Sequence, residues 1–579
     1  MILKALYDYY NRCGNLPAPG MEEKEIGFIL VLSANGEFLR FEDYRIDNKH
    51  ARTFLVKKHL GKTNGTAANY LYDKCHYVLG YSGKDSSEDD KTKKYFNAFR
   101  DKIKAIRDAF PSNRDLNAIV AFYDQGREKI LEEIANDALW RKITKCLAKK
   151  YSTFSFRIEG DTRIVAEKTE LLQLESDNDK GAHSSVCLVT GKHGPVAETT
   201  TATMIPGSLA TAKLVSFQVN SGYDSYGKKK GYNAPISKEA EFAYTTALNT
   251  MLARDSRNKF TVGNRTFLFW ASSQDEAAQH AEESLFSLLG FTENDADDPN
   301  EKIEQVRKVF LSIYTGSLKT NLDDRFYILG LAPNSARIAV VYWSETSLRD
   351  FAGMILRHFS DMEIIDTRKD PKPYMGIKDM LSAVTLGGKQ SEVTPNLPEA
   401  VVKSIFQGAP YPHTLFSACL RRLRAESSDK SAVRVSRIAI LKAYINRQNN
   451  NDKKIETMLD KSNTNQGYLC GRLFAVLDRI QEDANGINSI RERYMNAASS
   501  TPASIFATIL NLSSHHMANL PNEGKKVFYE KLEQEIIDKI SADGFPAHLN
   551  LQDQGRFFIG YYHQRQDFFT KKEDKENNK

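Results

Sequence analysis

The run RFYILGLAPNSARIAVVYW, Arg325 to Trp343, decides the class of this fold. Apolar residues crowd both halves and Pro333-Asn334 between them is turn chemistry, so the run reads as two strands. A strand pair this far along means that sheet structure persists well past the middle of the chain. Working backwards, Thr266 to Ala271 (TFLFWA) has the unbroken apolar character of a buried strand. Phe154 to Ile158 and Thr53 to Lys57 add further strands, and Ile26 to Leu32 with Phe38 to Tyr44 flank Asn35-Gly36, a strong hairpin signal. Between them Phe96, Phe99, Ile103, Ile106 and Phe110 recur at helical spacing, and Ser347 to Ser360 is an amphipathic helix.

Working forwards, the strand signal stops. Beyond Pro398 the pattern predicts helices over 400–406, 413–425, 431–447, 453–460, 467–483, 487–498, 503–517, 525–540 and 551–568. The expected class is therefore α+β: mixed N-terminal domains with antiparallel strands, followed by an all-α C-terminal helical bundle. The expected segments are an α+β domain over 1–150, a second α+β region over 151–398 and a basic helical segment over 399–457. A helical bundle over 458–570 follows, and the polar tail 571–579 is disordered by composition.

Bulk properties remove several function classes. The 579 residues are 41% apolar and 27% charged, which suits a globular chain with a real core. No apolar run approaches the ~18 residues of a membrane span. The start, MILKALYDYYNRC, is an amphipathic helix and not an export signal. Six cysteines lie scattered without a CxxC pair, which fits a reducing cytoplasm and argues against a zinc ribbon. Charge is unevenly placed. Nine basic residues against two acids between Lys403 and Arg447 give +7, more than the whole chain's +6, whereas ten acids against one lysine between Asp275 and Glu304 give −9. The first suits a polyanion; the second reads as a self-solvating surface.

Two loops offer binding chemistry. Within Cys187 to Leu252, Lys213 to Val219 reads as a strand and Ser237 with Glu241 as a helix start. Between them a glycine-jointed loop carries Tyr223, Tyr226, Lys228, Lys229, Lys230, Tyr232 and Asn233. Such a loop can hold a phosphate backbone and stack on a base, although a charged loop is more often plain surface. The second loop follows His59. Its Gly61-Lys62-Thr63 resembles a phosphate loop, but Val56 stands where the motif needs its first glycine, so nucleotide hydrolysis is rejected. What remains is a small-residue loop with Lys62, Thr63, Asn64 and Asn69, short enough to approach base edges, or an ordinary turn.

Catalytic signatures are missing. No histidine precedes an aspartate, and HExxH, GxSxG and a complete dinucleotide fingerprint are absent. His515-His516 are adjacent and cannot share a helix face as metal ligands. We therefore expect no enzyme activity, no metal and no cofactor.

Ordered motifs along the chain carry a resemblance. They begin with MILKALYDYY, Asn69-Tyr70-Leu71 and Tyr77-Val78-Leu79-Gly80, then Cys187-Leu188-Val189-Thr190-Gly191 and Leu214-Val215-Ser216-Phe217. Ser225-Tyr226-Gly227, Asn233-Ala234-Pro235-Ile236-Ser237 and Leu329-Gly330-Leu331-Ala332-Pro333-Asn334 follow, the last with Arg337. Gly467-Tyr468-Leu469, Gly471-Arg472-Leu473-Phe474-Ala475, Ser500-Thr501-Pro502 and Gly560-Tyr561-Tyr562-His563-Gln564 complete the set. In this order they resemble the large subunit of the type I-C CRISPR surveillance complex, Cascade.

The resemblance implies a non-enzymatic, cytoplasmic subunit of a crRNA-guided complex. Such a subunit sits at the 5′-handle end, reads the protospacer-adjacent motif (PAM) in double-stranded DNA and helps to open it. It guides the displaced non-target strand and presents the R-loop to a helicase–nuclease. The implied partners are crRNA, target DNA, the backbone subunits, the handle-binding subunit and small subunits translated from an internal start, here Met458. The expected DNA contacts are Lys62, Lys228, Lys229 and Lys230 on phosphates, Thr63, Asn64, Asn69 and Asn233 at base edges, and Gln218 as a wedge. Arg421, Arg422, Arg424, Arg434, Arg437 and Lys442 would line the displaced strand. Two rivals share much of this sequence: a generic nucleic-acid-binding scaffold, and a nuclease with an unrecognised site.

Overall fold

The computed structural model describes residues 2–58, 67–83, 89–149, 151–168, 183–217, 224, 226–253, 256–288, 299–321, 323–369, 371, 375–389, 392–426, 433–448, 454–487 and 489–570. The fold is α+β, and the chain divides into two compact units. The first comprises Cys13–Glu198 and Val219–Thr246; the second comprises Met1–Arg12, Thr199–Gln218 and Ala247–Lys579.

In the first unit β1 (Met21–Glu25), β2 (Phe28–Leu32), β3 (Phe38–Asp43), β4 (Thr53–Lys57), β5 (Tyr72–Lys74) and β6 (Thr153–Ile158) form two sheets. β1 pairs with β4, and the four-stranded sheet runs β3-β2-β6-β5. The β2–β3 hairpin turns at Asn35-Gly36, where Gly36 has φ +88°. β2 is fully buried because β6 lies parallel to it on its other side, an arrangement that needs the helices in between as a crossover. Among the described residues those helices are α1 (Asp89–Ala109), α2 (Arg114–Asp124) and three shorter ones. Phe96, Phe99, Ile103 and Ile106 of α1 enter the core as their spacing predicts. Two short strands, β7 (Ser184–Val186) and β8 (His193–Pro195), make a separate hairpin, and α3 (Lys238–Leu252) begins in this unit.

The second unit is organised on an antiparallel sheet of β9 (Lys259–Val262), β10 (Arg265–Ala271), β11 (Arg325–Asn334) and β12 (Arg337–Ser347), ordered β12-β11-β10-β9. The deciding hairpin turns at Ser335-Ala336, just beyond the expected Pro333-Asn334, with Ser335 in the left-handed region at φ +53°. Helix α4 (Leu348–Met362) follows, its N-terminus closed by Ser347, whose hydroxyl accepts from the Asp350 amide. Among the described residues no strand occurs after Ser347.

Four of the following helices matter below: α5 (His413–Ala425), α6 (Val435–Gln448), α7 (Gln466–Asn485) and α8 (Leu551–Asp567). α7 and α8 touch backbone to backbone. A Cβ on Gly471 would lie 1.9 Å from the Phe557 carbonyl oxygen, and one on Gly560 would lie 2.2 Å from that of Tyr468. Their buried polar groups are paired across the same crossing: Arg472 Nε donates to Gln564 at 3.0 Å, and the Tyr561 hydroxyl donates to Asp478 at 2.8 Å.

Two expected elements differ. The helix over 453–460 is not formed in the described residues 454–460; the Asn446 side chain pins Ile455 through both its N–H and its C=O at 2.9 Å, and Ile365 donates to the Thr457 carbonyl. These bonds replace the i→i−4 ladder. Of the strand expected over 213–219, the described residues 213–217 form only one bridge, from Lys213 to Arg337, because the Val215 carbonyl accepts from Thr200 Oγ1 instead of a neighbouring strand. The polar tail 571–579 lies outside the described residues.

Candidate nucleic-acid interface

The glycine-jointed loop is locked from within. Asn233 Nδ2 donates to the carbonyls of Lys228 at 3.0 Å and Lys230 at 3.1 Å, and to Asp224 Oδ1 at 3.4 Å. Asp224 Oδ1 also accepts from the Lys230 amide at 3.2 Å. This clasp holds Tyr226 at φ +54° and Lys230 at φ +47°, a region that costs L-residues about 1–2 kcal/mol each. Gly231 seats the loop on the chain below. Its N–H donates to the Glu198 carbonyl, and a Cβ there would lie 2.1 Å from the Ala197 oxygen. α3 then starts at Ser237, whose hydroxyl accepts from the Ala240 amide.

The three lysines are not equivalent. Lys230 Nζ pairs with Glu198 at 2.7 Å, and that hydrogen bond raises its pKa. Lys228 and Lys229 are exposed and, among the described residues, their ammonium groups make no ion pair or hydrogen bond. Tyr226 is 100% exposed. A side chain of this size fully in solvent, on a backbone held in an unfavourable region, is presented outward by the loop. Asn233, expected at a base edge, instead organises the loop. Gln218 lies outside the described residues.

Beside α3, Cys187 accepts from the Ser237 amide at 3.2 Å. Burial pushes this thiol up, but hydrogen bonds from Ser237 and Thr190 outweigh it and bring it down to about 7. Among the described residues no group of three or more histidines, cysteines or acids could hold a metal ion.

For the other loop, Lys62, Thr63 and Asn64 lie outside the described residues, but both stems are in place. Lys57 and Lys58 precede it. Asn69 follows it and is 2% exposed, with its amide donating to Asp73 Oδ2 at 3.0 Å. Asn69 is therefore inside the stem and not at a surface that could meet a base edge. Its neighbour Tyr70 has the ammonium groups of Lys102 and Lys57 at 3.9 Å and 5.9 Å from its ring centre. Lys58 Nζ lies 5.2 Å from the ring centre of Phe242 on α3, so the stem of this loop adjoins the helix that follows the first. Lys57, Lys58, Tyr70 and Lys102 were missed by sequence reasoning. The lysine pair beside the loop could have been noticed, but Lys102 arrives from α1 and only the fold brings it in.

The basic helices of the second unit separate into two groups. Arg437 is 1% exposed and donates to the Ala383 carbonyl at 2.9 Å and to Glu426 at 2.8 Å. Lys442 is 3% exposed; its ammonium reaches the Ser360 carbonyl at 3.3 Å, and burial lowers its pKa. Both belong to the interior, since α6 is covered on nearly every side and even its basic residues point into the unit. Arg422 pairs with Glu426 at 3.1 Å. Arg421 and Arg434 are exposed and Arg424 is half-buried.

No helix among the described residues is long and apolar enough to cross a membrane. No curated protein matches this chain. A family model described as CRISPR-associated protein (Cas_Csd1) matches residues 6–569, covering both units and both loops. The chain belongs to this CRISPR-associated family, the large subunits of type I-C Cascade.

Proposed function

We propose that this chain is a non-catalytic subunit that reads the PAM in double-stranded DNA, promotes unwinding and R-loop formation, guides the displaced strand and helps to recruit the helicase–nuclease in antiviral defence. One observation carries the reading. Tyr226, Lys228 and Lys229 stand exposed on an internally clasped loop, in the same unit as the Lys57, Lys58, Lys102 and Tyr70 cluster. Lysines on such a loop position a duplex through its phosphates, while crRNA pairing supplies the long sequence match and protein reads only a short motif. A pyrimidine-rich motif would add contacts to thymine methyls.

The partners in this reading are crRNA, target duplex, the backbone and handle-binding subunits, the helicase–nuclease and internally translated small subunits. Met458 falls between α6 and α7, so a start there leaves whole helices, whereas Met495 lies inside the helix Ser489–Ala498. Replacing the Met458 codon should abolish a short co-purifying chain of 122 residues (579 − 458 + 1).

The test is salt-dependent binding of the assembled complex to motif-bearing duplex. Each duplex phosphate contact contributes about 0.9 to the slope of log affinity against log salt. Lys228→Gln with Lys229→Gln should therefore lower the slope by about 1.8 while crRNA content and assembly stay unchanged. An unchanged slope would remove this loop from the interface. Incubation of the chain alone with magnesium and DNA should leave the DNA intact; cleavage would favour the nuclease reading.

A further inference from the structure

Arg421 and Arg424 stand three residues apart on α5, on the wall of a groove of about 350 Å³ that Asn496 and Leu551 also line. Ser417 and Leu420 complete the α5 wall. α5 approaches α8 closely here, for a Cβ on Gly555 would lie 3.0 Å from the Phe416 ring.

The charge in this groove is not neutralised from within. Glu426, the acid at the end of α5, is engaged by Arg422 and Arg437. Burial pushes its carboxyl up, but the Arg437 hydrogen bond and the surrounding arginines bring it below its ordinary value, so it stays charged and committed. The guanidinium groups of Arg421 and Arg424 have no ion pair or hydrogen bond among the described residues, and Arg424 Nε is buried without an acceptor. Two like charges at this helical spacing repel, and a buried N–H without an acceptor is unfavourable. An anion in the groove relieves the repulsion. A planar guanidinium presents paired donors that match phosphate oxygens. Beside the arginines, Ser417 and Asn496 offer neutral hydrogen-bonding groups, and Leu420 with the half-exposed Leu551 offers an apolar floor. The volume sits at the small end of the roughly 300–1,000 Å³ range of ligand pockets.

We propose that this groove takes one nucleotide, its phosphate on Arg421 and Arg424 and its base on Leu420 and Leu551. The inference rests on the reading of this chain as a nucleic-acid-binding subunit and adds a base-accepting site to it. The nucleotide could belong to a single strand or be free. A chain started at Met458 would keep Asn496 and Leu551 but lack both arginines, so the groove is a property of the full-length subunit.

The experiment uses the full chain, Arg421→Gln/Arg424→Gln, Arg421→Lys/Arg424→Lys and Leu551→Ser, with a labelled oligothymidylate and its abasic counterpart over a salt series. Single-strand contacts contribute about 0.7 each to the slope, so the Gln pair should lower it by about 1.4. The Lys pair should keep the slope and lose affinity. Leu551→Ser should weaken the oligothymidylate several-fold and leave the abasic strand unchanged. Displacement by thymidine monophosphate at lower concentration than by inorganic phosphate assigns the site to free nucleotides as well; no displacement by either assigns it to strands. An unchanged slope in the Gln pair, or equal effects of Leu551→Ser on both oligomers, overturns the proposal. Motif-duplex binding is measured on the same samples. If it persists while the slope is unchanged, only the groove assignment fails; if the parent chain binds neither ligand, the broader reading fails.

Discussion

Replacing Asn233 with Ala separates two roles that this residue could play at DNA. In the structure its amide donates to two loop carbonyls and to Asp224. At about 1 kcal/mol net per bond, these hold the loop by roughly 2–3 kcal/mol. Against them stands the strain of Tyr226 and Lys230 in the left-handed region, about 1–2 kcal/mol each. The two sums are nearly equal, so without the clasp the loop leaves its native backbone most of the time. Apparent affinity falls in proportion to the competent fraction, giving a loss of about tenfold or more. The loss should be the same on motif-bearing and scrambled duplex, and the salt slope should stay at the parent value because Lys228 and Lys229 are still present. Fluorescence anisotropy on both duplexes over a salt series reads all three quantities. A loss confined to the motif-bearing duplex would mean that Asn233 reads a base directly, and the clasp argument would be wrong.

Further outcomes follow from the second unit. Gly471→Ala would force a methyl group into backbone atoms of α8 that cannot move alone, so the ~1 kcal/mol gained in helix propensity is overwhelmed and urea denaturation should show a loss of about 2–3 kcal/mol or more. Arg437→Ala removes one of the two arginines on Glu426 and should cost about 1.5–3 kcal/mol without changing the single-strand salt slope, in contrast to the Arg421/Arg424 pair. Burial holds His358 and His563 down at about 3, so the unfolded chain takes up their protons first as pH falls through 6.5. Stability contributed by these neutral rings is complete above about 6.5 and lost on acidification, roughly 2 kcal/mol per ring by pH 5; urea midpoints at pH 7.5 and 5 test the sign.

Periodicity made most elements legible. The Arg325–Trp343 hairpin, the Asn35-Gly36 turn and the helices beyond Pro398 follow from local apolar spacing and turn chemistry, which act within a few residues. The misread segments depend on distant partners: Asn446 takes the backbone groups of Ile455, and Thr200 takes the carbonyl of Val215. The candidate site was legible only in outline for the same reason. A lysine or arginine looks alike in sequence whether it reaches solvent, as Lys228 does, or a buried carbonyl, as Arg437 does. Asn69 and Asn233 carry suitable amides, but the fold directs one inward and uses the other as a fastener. Tyr226 was read on the glycine-jointed loop, and there it stands fully exposed.

The backbone contact between α7 and α8 bears on what the family signature records. Gly467, Gly471 and Gly560, which stand in its C-terminal motifs, each face a carbonyl too close to admit any side chain. They are fixed by the geometry of a helix crossing, whatever the loops in the other unit bind. A descendant could therefore keep these three glycines intact while Lys228 and Lys229, which stand outside the motifs, drift. The packing of α7 against α8 and the charge carried by the loop can therefore change at different rates.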